Sequence, residues 1–241
     1  MKPFLFRASS LGRIMTDAQS IDTAFLTDEL AAISRKTKKT DEEKALLAPL
    51  KEKSLSAGAK TYCEQLAKEF VYGYEQTVSS KYMEKGIMVE DESIELYNTV
   101  FFKSASKNTE RKTNAWITGE CDIEQDDRIT DIKSAWSLDT FPVTAEQAHD
   151  SGYEWQGRAY MMLWDKPMFE VAWCLVDTPS ELVGYEDEKM HYVSHLDPAL
   201  RVTTVRYARD LVLEERIKVK AESANAYIQK IIRDIVEQHP I

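Results

Sequence analysis

Two aspartates and a lysine form the group of residues in this sequence best suited to phosphate chemistry. A Gly-x-x-Asp run ends at Asp122, and a polar connection separates it from the run Asp131-Ile132-Lys133. Side chains alternate between the two faces of a strand, so Asp131 and Lys133 are predicted to share one face while Ile132 points into the core. If the two segments pair as a hairpin, Asp122 arrives beside Asp131.

Two carboxylates held close together repel each other and resist burial, and a bound divalent cation removes that cost. Mg²⁺ prefers oxygen ligands and usually keeps several waters. Such an ion would lower the pKa of a bound water and stabilise charge that develops on a phosphate. Lys133 is then expected to position that water or to neutralise the transition state. The chemistry indicated is metal-dependent hydrolysis of a phosphodiester.

Two further segments can deliver side chains to this group. Gln156 and Tyr160 are four residues apart on a predicted helix, so they share one face. Gln156 is expected to touch the metal-bound water or the phosphate, with Tyr160 beside it. Upstream, the segment that starts at Gly86 opens a helix on which Glu90 can supply another carboxylate.

The elements that must position these residues define an α/β fold with a small mixed β-sheet flanked by helices. We predict one domain over 1–241, with a core at about 86–180, a charged helical hairpin at about 27–55 and C-terminal helices at about 198–239. The spacing of apolar residues and interruptions by Gly predict helices at 56–83, Glu90–Thr99 and Thr144–Leu163. The alternation of apolar and polar residues, with Pro ending the last run, predicts strands at Trp116–Ile123, Arg128–Ala135 and Phe169–Val176.

Composition, net charge and cysteine content limit the functions and cellular locations that the sequence predicts. The chain has 241 residues, 43% of them hydrophobic, and a formal net charge of −10. That charge counts against a nucleic-acid binder, although a nuclease site is itself a cluster of carboxylates. Three scattered cysteines favour a reducing compartment over a disulfide framework. No signal peptide or membrane-spanning stretch is evident, so a cytoplasmic location is predicted, in the bacterial host if the gene is phage-encoded.

Taken together, these motifs resemble the PD-(D/E)XK nuclease superfamily and, within it, the YqaJ-like viral recombinase branch that includes phage lambda exonuclease. The helix acid Glu90, the Gly-x-x-Asp run ending at Asp122, the pair Asp131 and Lys133, and the Gln-x-x-x-Tyr from Gln156 occur in the family's order. The match covers about residues 86–180. It implies a restriction-endonuclease-like core, with helical N- and C-terminal additions.

The resemblance also implies a function and a set of sites. It implies Mg²⁺-dependent digestion of double-stranded DNA ends, 5′-to-3′, in phage-type recombination beside a single-strand annealing protein, with a ring-shaped trimer as the assembly. Mn²⁺ is expected to substitute for Mg²⁺, and no iron–sulfur cluster is expected. The implied metal set is Asp122, Asp131, Ile132 and Glu90. The implied 5′-phosphate binders are Arg7, Ser9 and Ser10, which could equally serve helix capping.

Other functions stay open at this point. The same motifs would serve a structure-specific or nicking endonuclease. A degenerate nuclease fold could bind DNA or a protein without cleaving, and the acidic net charge is consistent with this. RNA is also a chemically competent substrate for the predicted site.

Overall fold

A computed structural model describes residues 3–75 and 79–239. The chain divides into two compact units: the first comprises residues 1–76, 115–117 and 211–241, and the second 77–114 and 118–210.

The helices are α1 Gly12–Met15, α2 Asp28–Arg35, α3 Asp41–Lys53, α4 Ala57–Tyr72, α5 Lys81–Met88, α6 Glu90–Phe101, α7 Ala145–Ala148, α8 Ser151–Trp164, α9 Ser180–Val183 and α10 Leu211–Gln238. The strands are β1 Phe6–Arg7, β2 Lys112–Thr113, β3 Ile117–Gly119, β4 Ile123–Glu124, β5 Ile129–Ser134, β6 Met168–Cys174 and β7 Val202–Ala208.

The first unit is built mainly of helices. α4 packs against α10, and its buried side chains recur at helical spacing: Ala59, Tyr62, Cys63 and Ala67. The predicted charged hairpin is present as α2 and α3, and a capping box formed by Thr40 and Glu43 starts α3. Among the described residues, no helix combines the length and apolar character needed to cross a bilayer.

The second unit contains a four-stranded mixed sheet in the order β4-β5-β6-β7. β5 and β6 are parallel, with Asp131 opposite Val171 and Lys133 opposite Trp173. The other pairings, β4 with β5 and β6 with β7, are antiparallel. The connection between the parallel strands carries α7 and α8, as a parallel crossover requires. The predicted α/β class with a small mixed sheet flanked by helices is confirmed.

One face of this sheet is covered by α6. Its core cluster is apolar and almost fully buried, and it consists of Val89, Ile94, Leu96, Tyr97, Ile123, Ile132, Ala172, Cys174 and Val176. Ile132 therefore points into the core as the alternation predicted. The opposite face of β5 carries Asp131 and Lys133 and receives α8, so the sheet separates the core from the candidate site.

The predicted long helix at 56–83 is wrong. α4 ends at Tyr72 because Gly73 follows in the left-handed conformation, with φ 63°, which a glycine adopts without strain. A separate helix, α5, starts at Lys81 after the N-cap Ser80, and Gly86 lies inside it rather than interrupting it. Residues 76–78 of the predicted helix lie outside the described part of the chain.

Three other predicted segments need correction. The predicted strand Trp116–Ile123 is two strands, β3 and β4, so Asp122 lies just before a strand and not within one. The predicted helix Thr144–Leu163 is two helices separated at His149 and Asp150. The region from 198 is not only helical, because β7 forms there and adds a strand next to β6. The single-domain organisation stays a prediction.

Candidate active site

The β4–β5 hairpin brings the two predicted aspartates together. Ile123 pairs with Thr130, so Asp122, one residue earlier, lies next to Asp131. Oδ2 of Asp122 accepts a hydrogen bond of 2.7 Å from the backbone N–H of Ile132. This bond ties the residue before β4 to the middle of β5 and fixes the orientation of the Asp122 carboxylate.

Lys133 is the cation of the site. Its Nζ lies 2.6 Å from Oδ2 of Asp131, two positions earlier on the same strand face. The ammonium also lies 4.7 Å from the centre of the Tyr153 ring, within cation–π range. Burial lowers the pKa of Lys133, but the charges of Asp131 and Asp122 outweigh burial and hold that pKa above its usual value. Lys133 is therefore a fixed positive charge at neutral pH.

Helix α8 supplies the polar partners of Asp131. The side-chain amide of Gln156 donates to Oδ1 of Asp131 and to the hydroxyl of Tyr160, both at 3.0 Å. Tyr160 in turn donates to the carbonyl of Glu120 at 2.8 Å. The predicted sharing of one helix face by Gln156 and Tyr160 is confirmed, and their contacts orient the Asp131 carboxylate from the helix side.

A glycine in α8 allows this helix to approach the sheet closely. A Cβ added at Gly157 would lie 1.8 Å from a ring carbon of Phe169 on β6. Any larger residue would push α8 away from the sheet and carry the neighbouring Gln156 away from Asp131. The close approach explains why a glycine occupies the position next to Gln156.

Asp122 and Lys133 line a cleft of about 550 Å³, and Asp131 lies buried behind them. Its walls combine acidic, aromatic and aliphatic side chains from α5, α6, β5, β6 and α8: Tyr82, Met83, Gly86, Ile87, Glu90, Asp122, Ile132, Lys133, Ser134, Trp136, Thr140, Tyr153 and Trp173. All of these residues belong to the second unit. The charged residues of the cleft are Glu90, Asp122 and Lys133.

The electrostatics of the carboxylate pair favour a cation. Burial and the nearby charge of Asp131 raise the pKa of Asp122 to about 7. Lys133 is the one basic side chain that opposes this shift among its main causes. Oδ2 of Asp131 has no hydrogen bond of good geometry within the described residues, although the Lys133 ammonium is close to it. One buried and one half-buried carboxylate with one lysine form a donor set that fits a hard divalent cation.

The other two predicted metal ligands, Glu90 and Ile132, each have contacts that affect this role. Within the described ranges, no group of three or more His, Cys, Asp or Glu side chains could hold a metal by itself. Glu90 borders the cleft at the start of α6, but its carboxylate forms an ion pair with Lys107. The side chain of Ile132 is in the core, which leaves its backbone carbonyl as the group it could offer.

The predicted 5′-phosphate binders belong to the first unit. Arg7 is in β1 and its guanidinium pairs with Glu75 at 2.7 Å. Ser9 and Ser10 lie in the 3₁₀ turn Ala8–Ser10 that follows. Their predicted role in binding a phosphate stays a prediction.

The buried Lys85 lies near the site, and no sequence motif predicted its role. The Nζ of Lys85, on α5, donates to the carbonyls of Ala135 at 2.6 Å and of Trp136 and Val176 at 3.0 Å. These carbonyls follow the carboxyl ends of β5 and β6, so Lys85 ties α5 to both parallel strands. Burial lowers the pKa of Lys85 to about 8.

The cleft-lining residue Tyr153 was also absent from the predicted site, and here a signal existed. Tyr153 precedes Gln156 by three residues on α8, so helical spacing places both on one face. Trp173 was absent as well, and its position opposite Lys133 follows only from the β5–β6 register. No local pattern in the sequence determines that register.

Comparison with solved structures shows a nuclease fold. The chain is similar over 97% of its length to a phage-related exonuclease from Haemophilus somnus 129PT, with 97% of that chain covered, a TM-score of 0.81 and 27% identity. An alkaline exonuclease from Laribacter hongkongensis, LHK-Exo, matches 97% of this chain and 92% of its own, with a TM-score of 0.60 and 12% identity. Its complex with dAMP matches with a TM-score of 0.59 and 14% identity. No protein-family model matches the chain, and no curated protein matches it.

Proposed function

We propose that this protein is a Mg²⁺-dependent DNA exonuclease that hydrolyses phosphodiester bonds in the cleft of the second unit. The observation that carries the proposal is the grouping of Asp122 with Asp131 and Lys133 on β5, beside a cleft. The similarity to a phage-related exonuclease over nearly the whole chain supports the same class of reaction.

The protein residues divide the work of hydrolysis between them. Asp122 and Asp131 are the proposed metal ligands, and Glu90 and the carbonyl of Ile132 are proposed to complete the set. When bound, Mg²⁺ supplies an acidified water and stabilises negative charge on the phosphate. Lys133 is proposed to act as a positive charge and hydrogen-bond donor towards the attacking water or the phosphate.

Gln156 and Tyr160 are proposed to act on the geometry of the site. Gln156 donates to Asp131, and Tyr160 accepts from Gln156 and donates to a backbone carbonyl. This chain of hydrogen bonds restricts the Asp131 carboxylate to one orientation, in the way that outer partners orient metal ligands. The pre-set orientation lowers the cost of assembling the reactive arrangement.

The finer features of the proposal come from the resemblance of the motifs to the YqaJ-like branch of the PD-(D/E)XK nucleases. They are 5′-to-3′ digestion of duplex ends, substitution of Mn²⁺ for Mg²⁺, a role in phage-type recombination with a single-strand annealing protein, and a ring-shaped trimer. Arg7, Ser9 and Ser10 are proposed to bind the terminal 5′ phosphate. A location in the cytoplasm of a bacterial host belongs to the same proposal.

Linear duplex DNA, 5′-phosphorylated and labelled at either end, tests the proposal. The purified protein is incubated with it in Mg²⁺, in Mn²⁺ or in EDTA, and a closed circular duplex and a linear RNA duplex serve as further substrates. Asp131→Asn and Lys133→Met run alongside. Metal-dependent loss of linear DNA alone, abolished in both variants, is the expected result, and the label released first gives the direction.

Two results would replace this function with another. Cleavage of the circle as well would keep the site but make the enzyme a structure-specific or nicking endonuclease. Binding of DNA without cleavage of any substrate, in every metal, would remove the catalytic proposal and establish a non-cleaving binding module on the same fold.

A further inference from the structure

The segment between α6 and β2 is attached to the backbone beside Asp122. The N–H of Asn108 donates to the carbonyl of Asp122 at 2.7 Å, and its side-chain amide donates to the carbonyl of Cys121 at 3.0 Å. Both bonds join this segment to the residues just before β4. The neighbouring residue, Lys107, is therefore delivered to the acidic end of the cleft by anchored backbone.

Lys107 is paired with the one cleft carboxylate that stands apart from Lys133. Its ammonium forms an ion pair with Oε2 of Glu90. The side chains of Lys107 and Glu90 are 46% and 23% exposed. The hydrogen bond that Lys107 donates to Glu90 raises the pKa of Lys107, against the effect of burial, and the charges of Glu90, Asp122 and Asp91 add to it.

The site thus contains two lysines with different partners. Lys133 pairs with Asp131, whose side chain is 2% exposed, whereas Lys107 reaches the partly exposed carboxylate of Glu90 from the segment between α6 and β2. This pairing also agrees with the absence, in the described ranges, of a ready-made group of three acidic metal ligands. Glu90 is neutralised by a lysine in the arrangement observed.

We propose that Lys107 competes with the divalent cation for Glu90 and, once displaced, binds a phosphate of the nucleic-acid strand at the mouth of the cleft. This inference rests on the proposed function. It makes Lys107 an exchangeable counter-ion, which protects the carboxylates from mutual repulsion before metal and substrate arrive and then contributes a substrate contact.

The exchange is physically inexpensive. A partly exposed ion pair contributes little net free energy because both groups stay hydrated. A divalent cation offers Glu90 twice the charge of an ammonium, so it can displace the lysine. The freed ammonium remains within the reach of a long flexible side chain and meets the negative charge of a phosphate backbone.

The first experiment measures metal binding without any substrate. Mn²⁺ is titrated into wild type, Lys107→Met and the matched control Lys103→Met, and electron paramagnetic resonance of free Mn²⁺ gives the bound fraction. Lys103 lies on the same segment, but its Nζ is near Gln125 at 3.3 Å. Removal of the competitor should tighten Mn²⁺ binding about 5-fold in Lys107→Met, the limit set by an exposed ion pair. Lys103→Met should match wild type.

A second variant excludes a general electrostatic effect. In a Glu90→Gln background the carboxylate that pairs with Lys107 is missing, so Lys107→Met should leave Mn²⁺ affinity unchanged. Unchanged or weaker Mn²⁺ binding in the single variant Lys107→Met would overturn the proposal, and so would an equal increase of affinity in the Glu90→Gln background.

The second experiment measures substrate binding. A labelled DNA duplex is followed by fluorescence anisotropy in Ca²⁺ and in EDTA over a range of salt, and a gel confirms that it stays intact. In Ca²⁺, Lys107→Met should weaken binding about 5-fold and reduce the slope of log K against log salt by about 0.9, the value for one phosphate contact. In EDTA, where Lys107 stays on Glu90, the two proteins should bind alike. An equal loss in Ca²⁺ and EDTA would contradict the exchange.

These outcomes separate the inference from the proposed function. If wild type cleaves DNA and the Mn²⁺ titration shows no change in Lys107→Met, the inference alone fails. If wild type cleaves nothing while Lys107→Met tightens Mn²⁺ binding, the exonuclease assignment fails and the competition for Glu90 stands.

Discussion

Two carboxylates of the same sheet, those of Glu170 and Asp131, are equally buried and have opposite surroundings. Each residue is 1% exposed. Glu170 accepts a hydrogen bond of 2.8 Å from the Tyr97 hydroxyl and lies 2.5 Å from Nε of Arg206. A second guanidinium, that of Arg128, lies 3.5 Å away. The negative charge of Glu170 is therefore balanced by Arg206 and by Arg128, which also pairs with Asp127, and its carboxylate is hydrogen-bonded by Tyr97.

Asp131 has fewer counter-charges than it needs. It shares one lysine, Lys133, with the neighbouring Asp122, and its other polar partner is the neutral amide of Gln156. The deficit is visible in the pKa of Asp122, which burial and Asp131 raise to about 7. The comparison teaches that burial of an acid does not mark a reactive site. What marks the site is a negative charge that the protein leaves for a ligand to neutralise.

The same contrast holds on a larger scale between the two units. The second unit, which contains the cleft, has 25 Asp and Glu against 14 Lys and Arg, a net charge of −11. The first unit has 16 acidic and 17 basic residues, a net charge of +1. A phosphate backbone is repelled by the surplus around the cleft, so the proposed cation and the local lysines must supply the attraction.

The largest effect is expected from removing the uncompensated charge. Asp131→Asn keeps the shape of the side chain but removes the charge of one proposed metal ligand. We expect cleavage of linear DNA in Mg²⁺ to fall about 10³-fold, while thermal stability in EDTA is unchanged or higher because one repulsive charge is gone. Full cleavage activity in this variant would contradict the proposed site.

The matched change at the compensated carboxylate should have the reverse profile. Glu170→Ala removes the buried acceptor of the Tyr97 hydroxyl and one ion-pair partner of Arg206 and Arg128. Because Arg206 is 52% exposed and Arg128 keeps Asp127, we expect the free energy of unfolding to fall by about 2 kcal/mol. Chemical denaturation measures this fall. Cleavage per folded molecule should stay within a few-fold of wild type, and a loss as large as that of Asp131→Asn would erase the distinction between the two carboxylates.

A third prediction concerns pH. The pKa of Asp122 is raised above its unfolded value of 3.8, so the native state holds the proton more tightly. The contribution of Asp122 to stability in EDTA should therefore be fully present below about pH 4 and be lost as the pH rises through about 7. We expect this group to contribute about 2 kcal/mol to the decline, half of what the full pKa shift would convert to.

Asp122→Asn provides the control for this pH dependence. The variant lacks the titrating group, so its stability should change less than that of wild type between pH 4 and pH 7. Thermal unfolding of both proteins in EDTA across this range makes the comparison. Parallel curves for the two proteins would show that the Asp122 carboxylate is not in the uncompensated state described.

The smallest effect is expected from the outermost hydrogen bond. Tyr160→Phe removes the hydroxyl that accepts from Gln156 and donates to Glu120, but Gln156 keeps its bond to Asp131. We expect a loss of about 1 kcal/mol in stability and about 5-fold in kcat, with KM for DNA unchanged. A loss matching Asp131→Asn would give Tyr160 a direct role at the phosphate.

The sequence by itself determined the parts of the site that lie close together along one element. Asp131 and Lys133 share a strand face because side chains alternate, and Gln156 and Tyr160 share a helix face because four residues make about one turn. The hairpin that brings Asp122 to Asp131 also follows from a short polar connection between two strand-forming segments. These rules are local, so one sequence was sufficient to apply them.

Only the tertiary structure decided which distant residues neutralise one another. The two arginines around Glu170 come from a neighbouring turn and from β7, a strand that was not predicted because its side chains are mostly half-exposed and lack regular alternation. Lys107 meets Glu90 because Asn108 anchors a surface segment beside Asp122. Charge balance depends on distance in space and on burial, and neither quantity is contained in the spacing of residues along the chain.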